Sequence, residues 1–270
     1  MPDPVIHRPA LYPPCGELLP PGEIREGRYE VRFARSEAEL DELLALRFEI
    51  FNLELGEGLE SSYATGRDRD EFDAVCHHLI VTERVSGRII GTYRIQTSDM
   101  ARCHLGFYSD GEFNLSQLPA VVLEDSVELG RACIALDHRN TQVLFLLWKG
   151  LARYVAANRR RYLFGCCSLT SQDAEEGWAV MELLEQRGQV HPAVRTEPRD
   201  GFACRRPDGT AARRWHSGNV KIPKLFRVYL RHGALVCGPP AIDRRFKTID
   251  YLVLFDVDAM DEKRFRTFFG

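Results

Sequence analysis

Glu128 and Arg131 stand in an otherwise apolar run, VELGRACIAL at 127–136, where charge is costly to place. Alternate side chains of a regular strand face opposite ways, so two residues three apart would diverge. Gly130 lies between them. A glycine inside a strand pattern marks a bulge, and one extra residue there would turn both charges to a single face. A carboxylate beside apolar strand residues can gain proton affinity and suit base chemistry, and a guanidinium offers a planar fork for an anion. A plain ion pair would use the same two groups. Three further charges sit on apolar stripes or element edges: Arg47, at helical spacing from Leu43, Leu44 and Phe51; Asp73, leading into an apolar run at 79–82; and Arg94, near the end of RIIGTYRI at 88–95.

The elements that must position these groups are readable from periodicity. Residues 29–34 (YEVRFA) alternate as a strand, and Ser36 with Glu39 forms a capping box that opens a helix with Leu40, Leu43, Leu44, Ile50 and Phe51 on its apolar face. Residues 56–70 are polar, contain Gly56, Gly58 and Gly66 and lack periodicity, which predicts a long mobile loop of the kind that covers a cleft. The apolar run 79–82, the Ser86-Gly87 turn and 88–95 make a hairpin. Residues 107–118 read as a turn-rich connection with exposed aromatics. An amphipathic helix at 142–157 followed by a strand at 162–169 predicts a right-handed crossover to a parallel neighbour of the central strand. Helices at 174–186 and 223–231, the segment 235–242 and a strand at 251–257 complete the pattern. Seven prolines in residues 1–28 predict an extended, poorly ordered arm, leaving 29–270 as a single domain.

Composition removes several classes. The eight cysteines are scattered, without a C-x-x-C pair, as in a reduced cytosolic chain. No apolar run approaches the ~18 residues of a membrane span. The G-x-S-x-G elbow, the P-loop, G-x-G-x-x-G and H-E-x-x-H are all absent. His77 and His78 are neighbours that would point apart on a strand, and no Cys/His set with zinc spacing accompanies them, so no metal site is expected. Cys166 and Cys167 lie in an apolar strand, where burial suppresses thiolate formation. Net charge is −3, with an acid-rich stretch at 37–128 and a basic one at 195–247. Arg153, Arg159, Arg160, Arg244, Arg245 and Lys247 are candidates for docking an acidic carrier protein or anionic headgroups. No nucleic-acid partner is expected.

Seven strings carry a resemblance: LRFEIF at 46–51, DEFDAVCHHLIV at 70–81, GTYR at 91–94, ELGRACI at 128–134, LLWKGLARY at 146–154, YLFGCCSL at 162–169 and VCGPPAIDRRFKTIDYLVLFDV at 236–257. The chain resembles, over about 29–257, the bacterial ornithine acyl carrier protein N-acyltransferases of the Gcn5-related N-acetyltransferase (GNAT) superfamily, and more distantly the acyl-homoserine-lactone synthases. The resemblance implies an α/β fold with a mixed central sheet flanked by helices. It implies transfer of a 3-hydroxyacyl chain from acyl carrier protein to the α-amine of L-ornithine, giving lyso-ornithine lipid. No cofactor would be held permanently, the donor being the carrier's phosphopantetheine arm. The protein would be cytoplasmic, with peripheral contact at the inner face of an anionic membrane and a downstream O-acyltransferase.

On this reading Glu128 is the base, backbone N–H groups near Gly130 hold the oxyanion, and Arg94 or Arg131 binds the ornithine carboxylate. Asp73 either holds the second ammonium or braces Arg47. The turn LDHRNTQ at 136–142 has no glycine, unlike the pyrophosphate-binding turn of coenzyme A users, which favours a protein-borne donor. A different amino acid or amine acceptor is the alternative enzyme. A non-catalytic membrane binder using the basic half and the aromatics of 107–113 is the alternative outside catalysis.

Overall fold

The stretches at 89–97 and 248–256 carry apolar residues at both parities of a strand, as strands covered on both faces do, and both become fully or almost fully buried strands of one sheet. The computed structural model describes residues 12–206 and 214–260. In chain order the elements are β1 (Ile24–Glu26), β2 (Tyr29–Phe33), α1 (Glu37–Phe48), β3 (His77–Glu83), β4 (Ile89–Thr97), α2 (Ser98–Cys103), α3 (Ala120–Glu124), β5 (Ser126–Ile134), α4 (Thr141–Ala157), β6 (Tyr162–Leu169), α5 (Ala174–Gln186), α6 (Lys224–Arg231), β7 (Leu235–Val236), β8 (Ala241–Asp243) and β9 (Thr248–Asp256). The sheet order is β1-β2-β3-β4-β5-β6-β9-β7, with β8 also paired to β9. Among the named strands of the described residues only β5 and β6 pair in parallel, joined by α4 as the strand, helix, strand pattern predicts. Among the described residues no helix is long and apolar enough to cross a membrane.

Local chemistry explains the helix starts. Ser36 caps α1 by accepting from the Glu39 N–H, and Asn140 caps α4 by accepting from Val143 N–H at 3.0 Å. The apolar stripes of both helices, Leu40, Leu43 and Leu44 on α1 and Val143, Leu146, Leu147 and Tyr154 on α4, enter one core with Val31, Leu79, Ile80 and Ile95 of the sheet.

Two irregularities of β5 create the site. Thr92 pairs with Cys133 but Arg94 pairs with Gly130, so β4 advances two residues while β5 advances three, and Arg131 with Ala132 opposes Tyr93. This is the bulge predicted near Gly130, except that its left-handed residue is Arg131, at φ 49°. On the other side, pairing of β5 with β6 stops after Glu128↔Phe164, and the strands part. Gly165 stands at that fork, where an added Cβ would lie 2.1 Å from the Leu129 carbonyl oxygen. Gly165→Ala must therefore force the two strands apart. The expected loss is about 1–3 kcal/mol, read as a lower urea midpoint, together with reduced turnover. An unchanged midpoint would mean that the fork opens without cost.

The proline-rich arm departs from expectation. From residue 12 onward it is packed rather than loose. Tyr12 Oη meets His78 Nδ1 at 2.9 Å, His77 Nε2 meets the Pro14 carbonyl at 2.6 Å, and β1 adds an edge strand to β2. Proline density does favour extended chain, but two buried histidines offer it partners that fix its path. Residues 1–11 lie outside the described region.

Candidate active site

The bulge turns Glu128 and Arg131 onto one face, as the sequence reading required, and both reach the turn at 107–111. Glu128 accepts from Gln96 Nε2 at 2.6 Å, Tyr108 N–H at 2.8 Å and Ser109 N–H at 2.7 Å. Arg131 donates to Asp70 at 3.1 Å and to Tyr108 Oη at 3.3 Å, and its guanidinium lies between the Tyr108 and Phe246 rings, 4.8 and 4.2 Å from their centroids. The left-handed backbone at Arg131 costs about 1–3 kcal/mol and persists because these contacts fix it. Glu128 thus has its lone pairs committed to a turn, a bracing role that differs from the base expected of it.

Arg47, Arg94 and Arg131 are matched by Asp68, Asp70 and Asp73. Arg47 bonds Asp68 at 2.7 Å and Asp73 at 2.6 Å; Arg94 bonds Asp70 at 2.5 Å and Asp73 at 3.1 Å. Burial alone would raise the Asp73 carboxyl, but Arg47 and Arg94 override it and hold it well below the usual carboxylate range. Asp70 is held down in the same way by Arg94 and Arg131. Of the two roles open to Asp73, the geometry shows bracing of Arg47. The loop at 56–70 is likewise anchored at its end, because Asp68 is wholly buried against Arg47. His78 meets Asp73 at 3.3 Å and His77 meets Tyr154 Oη at 2.8 Å, so neither histidine has ligand capacity to spare. The aromatics of 107–113 face inward, with Phe113 fully buried and Tyr108 packed on Phe72, which removes the exposed aromatic element of the membrane reading.

A cavity of about 350 Å³ opens at the fork. Side-chain parity shows that it crosses the sheet. Cys166 and Ser168 leave one face of β6 and Leu163 and Cys167 leave the other, yet all four line the cavity. On the Ser168 face the lining includes Glu57, Glu112, Glu128, Arg131, Asp243 and Asp250; on the Leu163 face it includes Tyr93, Trp148, Phe255 and the α6 residues Leu225, Phe226 and Tyr229. One side is acidic and the other apolar.

Sequence reasoning missed most of the acids. The carboxylate oxygens of Glu112, Asp243 and Asp250 lie within 4.8 Å of one another. Asp250 accepts from Thr248 Oγ1 at 2.8 Å and from Ser168 Oγ, and Asp243 accepts from the Arg245 and Phe246 N–H groups at 2.7 and 2.9 Å. Burial pushes Asp250 up to about 6 against the pull of those hydroxyls. Burial, then Asp250 and Asp243, raises Glu112 well above its ordinary value. Burial also raises Glu57, which accepts from Thr170 Oγ1. Such a set can hold an ammonium group or a hard divalent cation, and its proton affinity suits base chemistry. Cys166, 3.8 Å from Glu112, is pushed well above the ordinary thiol value by burial and by that acid, which keeps it protonated and unreactive.

The six docking candidates are not brought together. Arg159 and Arg160 precede Tyr162, whereas Arg244, Arg245 and Lys247 flank the β8–β9 turn beside Leu169, a β6 length or roughly 23 Å away. Arg160 is paired with Asp99 and Lys247 with Glu60. Arg153 is exposed on α4.

An acetyltransferase (GNAT) domain model matches residues 46–149, a span holding the arginine network, Glu112 and Glu128 but neither Asp243 nor Asp250. An L-ornithine N(alpha)-acyltransferase of Rhodobacter capsulatus is 32% identical over 246 residues, covering 87% of this chain and 92% of that protein. The chain belongs to the L-ornithine N(alpha)-acyltransferase family. A family member from Rhizobium meliloti is 28% identical, with 97% of this chain and 90% of that protein covered. The AHL synthase LasI is similar in structure at a TM-score of 0.48 and 14% identity, over 91% of this chain and 96% of that one. As a member of this N-acyltransferase family the protein carries a GNAT-like fold, with a mixed sheet flanked by helices.

Proposed function

We propose that the protein transfers a 3-hydroxyacyl chain from acyl carrier protein to the α-amine of L-ornithine, forming lyso-ornithine lipid. The observation that carries this reading is the cavity through the β5–β6 fork, with buried acids on one face and an apolar lining on the other. An amino acid with two ammonium groups suits the acid side and an acyl chain the apolar side, so amine and thioester meet where the strands part. Glu112, Asp243 and Asp250 hold the ornithine ammonium groups, and Arg131 faces its carboxylate. Asp250 takes a proton from the α-ammonium. The freed nitrogen attacks the thioester carbonyl, the new C–N bond forms, and the C–S bond breaks as the phosphopantetheine sulfur leaves with the amine's remaining extra proton. Backbone N–H groups released from the ladder by the bulge stabilise the oxyanion. Arg47, Arg94, Asp68, Asp70 and Asp73 hold this frame, and Glu128 fixes the turn carrying Ser109.

A protein-borne donor is favoured because the turn before α4 lacks glycine and Asn140 already occupies the Val143 N–H at the helix start. The test is mass spectrometry of products from 3-hydroxyacyl carrier protein and an equimolar mixture of free amino acids. N-acyl-ornithine alone is expected. Acylation of another amino acid would reassign the acceptor, and a carrier that stays acylated would overturn the reading.

A further inference from the structure

We infer that the outer face of α6 is the docking surface for the acidic protein that delivers the acyl chain, an inference that rests on the carrier-borne donor proposed above. Lys224, Arg227 and Arg231 follow i, i+3, i+7 spacing and are all exposed, so they form one stripe along the helix. The opposite side of the same helix, through Leu225, Phe226 and Tyr229, is the wall of the apolar side of the cavity. Tyr229 stacks on Trp148 at 5.8 Å and 10° and hydrogen bonds Tyr93, which fixes the helix over that opening. A partner seated on the stripe is thus one helix diameter, roughly 10–12 Å, from the space that receives an acyl chain.

Several surface arginines have carboxylate partners, as Arg161 has Asp256 and Arg206 has Glu182, but the stripe lies in a segment without acids. Residues 214–242 contain no Asp or Glu at all, against Arg214, Lys221, Lys224, Arg227 and Arg231. Among the described residues no carboxylate pairs with Lys224, Arg227 or Arg231. Such a field attracts an acidic surface. A lipid bilayer is the poorer fit, because the large apolar residues that are exposed, such as Leu53, Val85, Val121 and Leu136, lie elsewhere, and α6 offers headgroups no side chain to insert.

The test compares two donors carrying the same acyl group, acylated carrier protein and the acyl-pantetheine thioester, at saturating ornithine. The full-length protein is assayed beside Lys224→Glu/Arg227→Glu/Arg231→Glu and, as the milder change, the corresponding triple glutamine variant. Charge reversal is expected to raise KM for the acylated carrier roughly 10- to 1,000-fold, the range of electrostatic steering, and to flatten its salt dependence. The glutamine variant should fall between, and kcat/KM for acyl-pantetheine should stay unchanged in both. Unchanged KM for the carrier would overturn the inference, as would equal losses with both donors, which would make α6 a support of the cavity. Loss of binding to anionic phosphatidylglycerol vesicles with carrier KM intact would overturn it in favour of a lipid surface. If the unaltered protein accepts acyl-pantetheine but not the acylated carrier, it is the donor reading that falls.

Discussion

Asp250→Asn is expected to lower turnover about 100- to 10,000-fold, the contribution of a positioned base, without unfolding the protein. Asp250 is nearly fully buried, accepts from two hydroxyls and is pushed up to about 6 by burial. Below that pH it is neutral and can neither take the α-ammonium proton nor balance an ammonium charge. The rate of the unaltered enzyme should therefore fall with unit slope as pH drops through about 6, and residual activity of the variant should lack that limb. Stability should move the other way. A carboxyl whose folded value is raised favours the fold at low pH, and this contribution is lost as pH rises from the unfolded value through about 6. An asparagine carries no such charge, and one of the Ser168 and Thr248 hydroxyls can rotate to accept from its amide N–H while the other still donates to its oxygen. Melting temperature at pH 8 should thus equal or exceed that of the parent. A sharp drop in melting temperature, or an acid limb that survives the substitution, would assign the proton to another group, Glu112 being next in line.

How far this site could be read from the sequence depended on whether its parts lay on one element. The β5 bulge was legible because Glu128, Gly130 and Arg131 are neighbours in the chain, although the glycine marks the bulge while Arg131 takes its left-handed backbone. The helices were legible wherever a 3.6-residue stripe met one core, as α5 shows by starting and ending where its pattern does. The acid cluster was not legible as a cluster. Glu112 comes from a turn, Asp243 from a hairpin end and Asp250 from β9, and only the fold brings them within 4.8 Å. Asp250 did carry a signal, an acid between Ile249 and Tyr251 in an apolar strand, the same anomaly that drew attention to Glu128. The arginines gave the opposite outcome. Arg47 and Arg94 were conspicuous as misplaced charges, and they prove to be neutralised by Asp73, which the sequence offered as a brace, and by Asp68 and Asp70, which come from a loop with no periodicity to reveal them. A charge anomaly in sequence therefore marks burial reliably, whereas its use, for substrate or for structure, is decided by partners that arrive from elsewhere in the chain.

Arg47→Met should be the most damaging change outside the cavity, with an expected loss of about 3–5 kcal/mol, the cost of removing one side of a buried ion pair. Arg47 is 0% exposed and serves two carboxylates, Asp68 and Asp73. Without it Asp73 retains Arg94, but Asp68 keeps only Arg131, at 3.5 Å. The loss should depend on pH in a defined direction. In the parent, Asp73 is held well below its ordinary value, so its contribution is present above the unfolded carboxylate value and disappears as pH falls through the depressed folded one. In the variant, Arg94 alone opposes burial at Asp73, whose carboxyl gains proton affinity, so the variant loses stability relative to the parent as pH rises. The gap in urea-unfolding free energy between parent and variant should be widest near pH 8 and narrow towards pH 4–5. Adding Asp68→Asn to Arg47→Met should recover part of the loss, because it removes the charge left without its main partner. An equal deficit at both pH values, with no recovery in the double variant, would show that Arg47 acts by packing alone. The consequence for catalysis follows from the chain itself. Asp68 ends the loop that begins at Gly56 and carries Glu57 into the cavity, so releasing Asp68 also loosens one of the acids that face the substrate, and KM for ornithine should rise in whatever fraction of the variant remains folded.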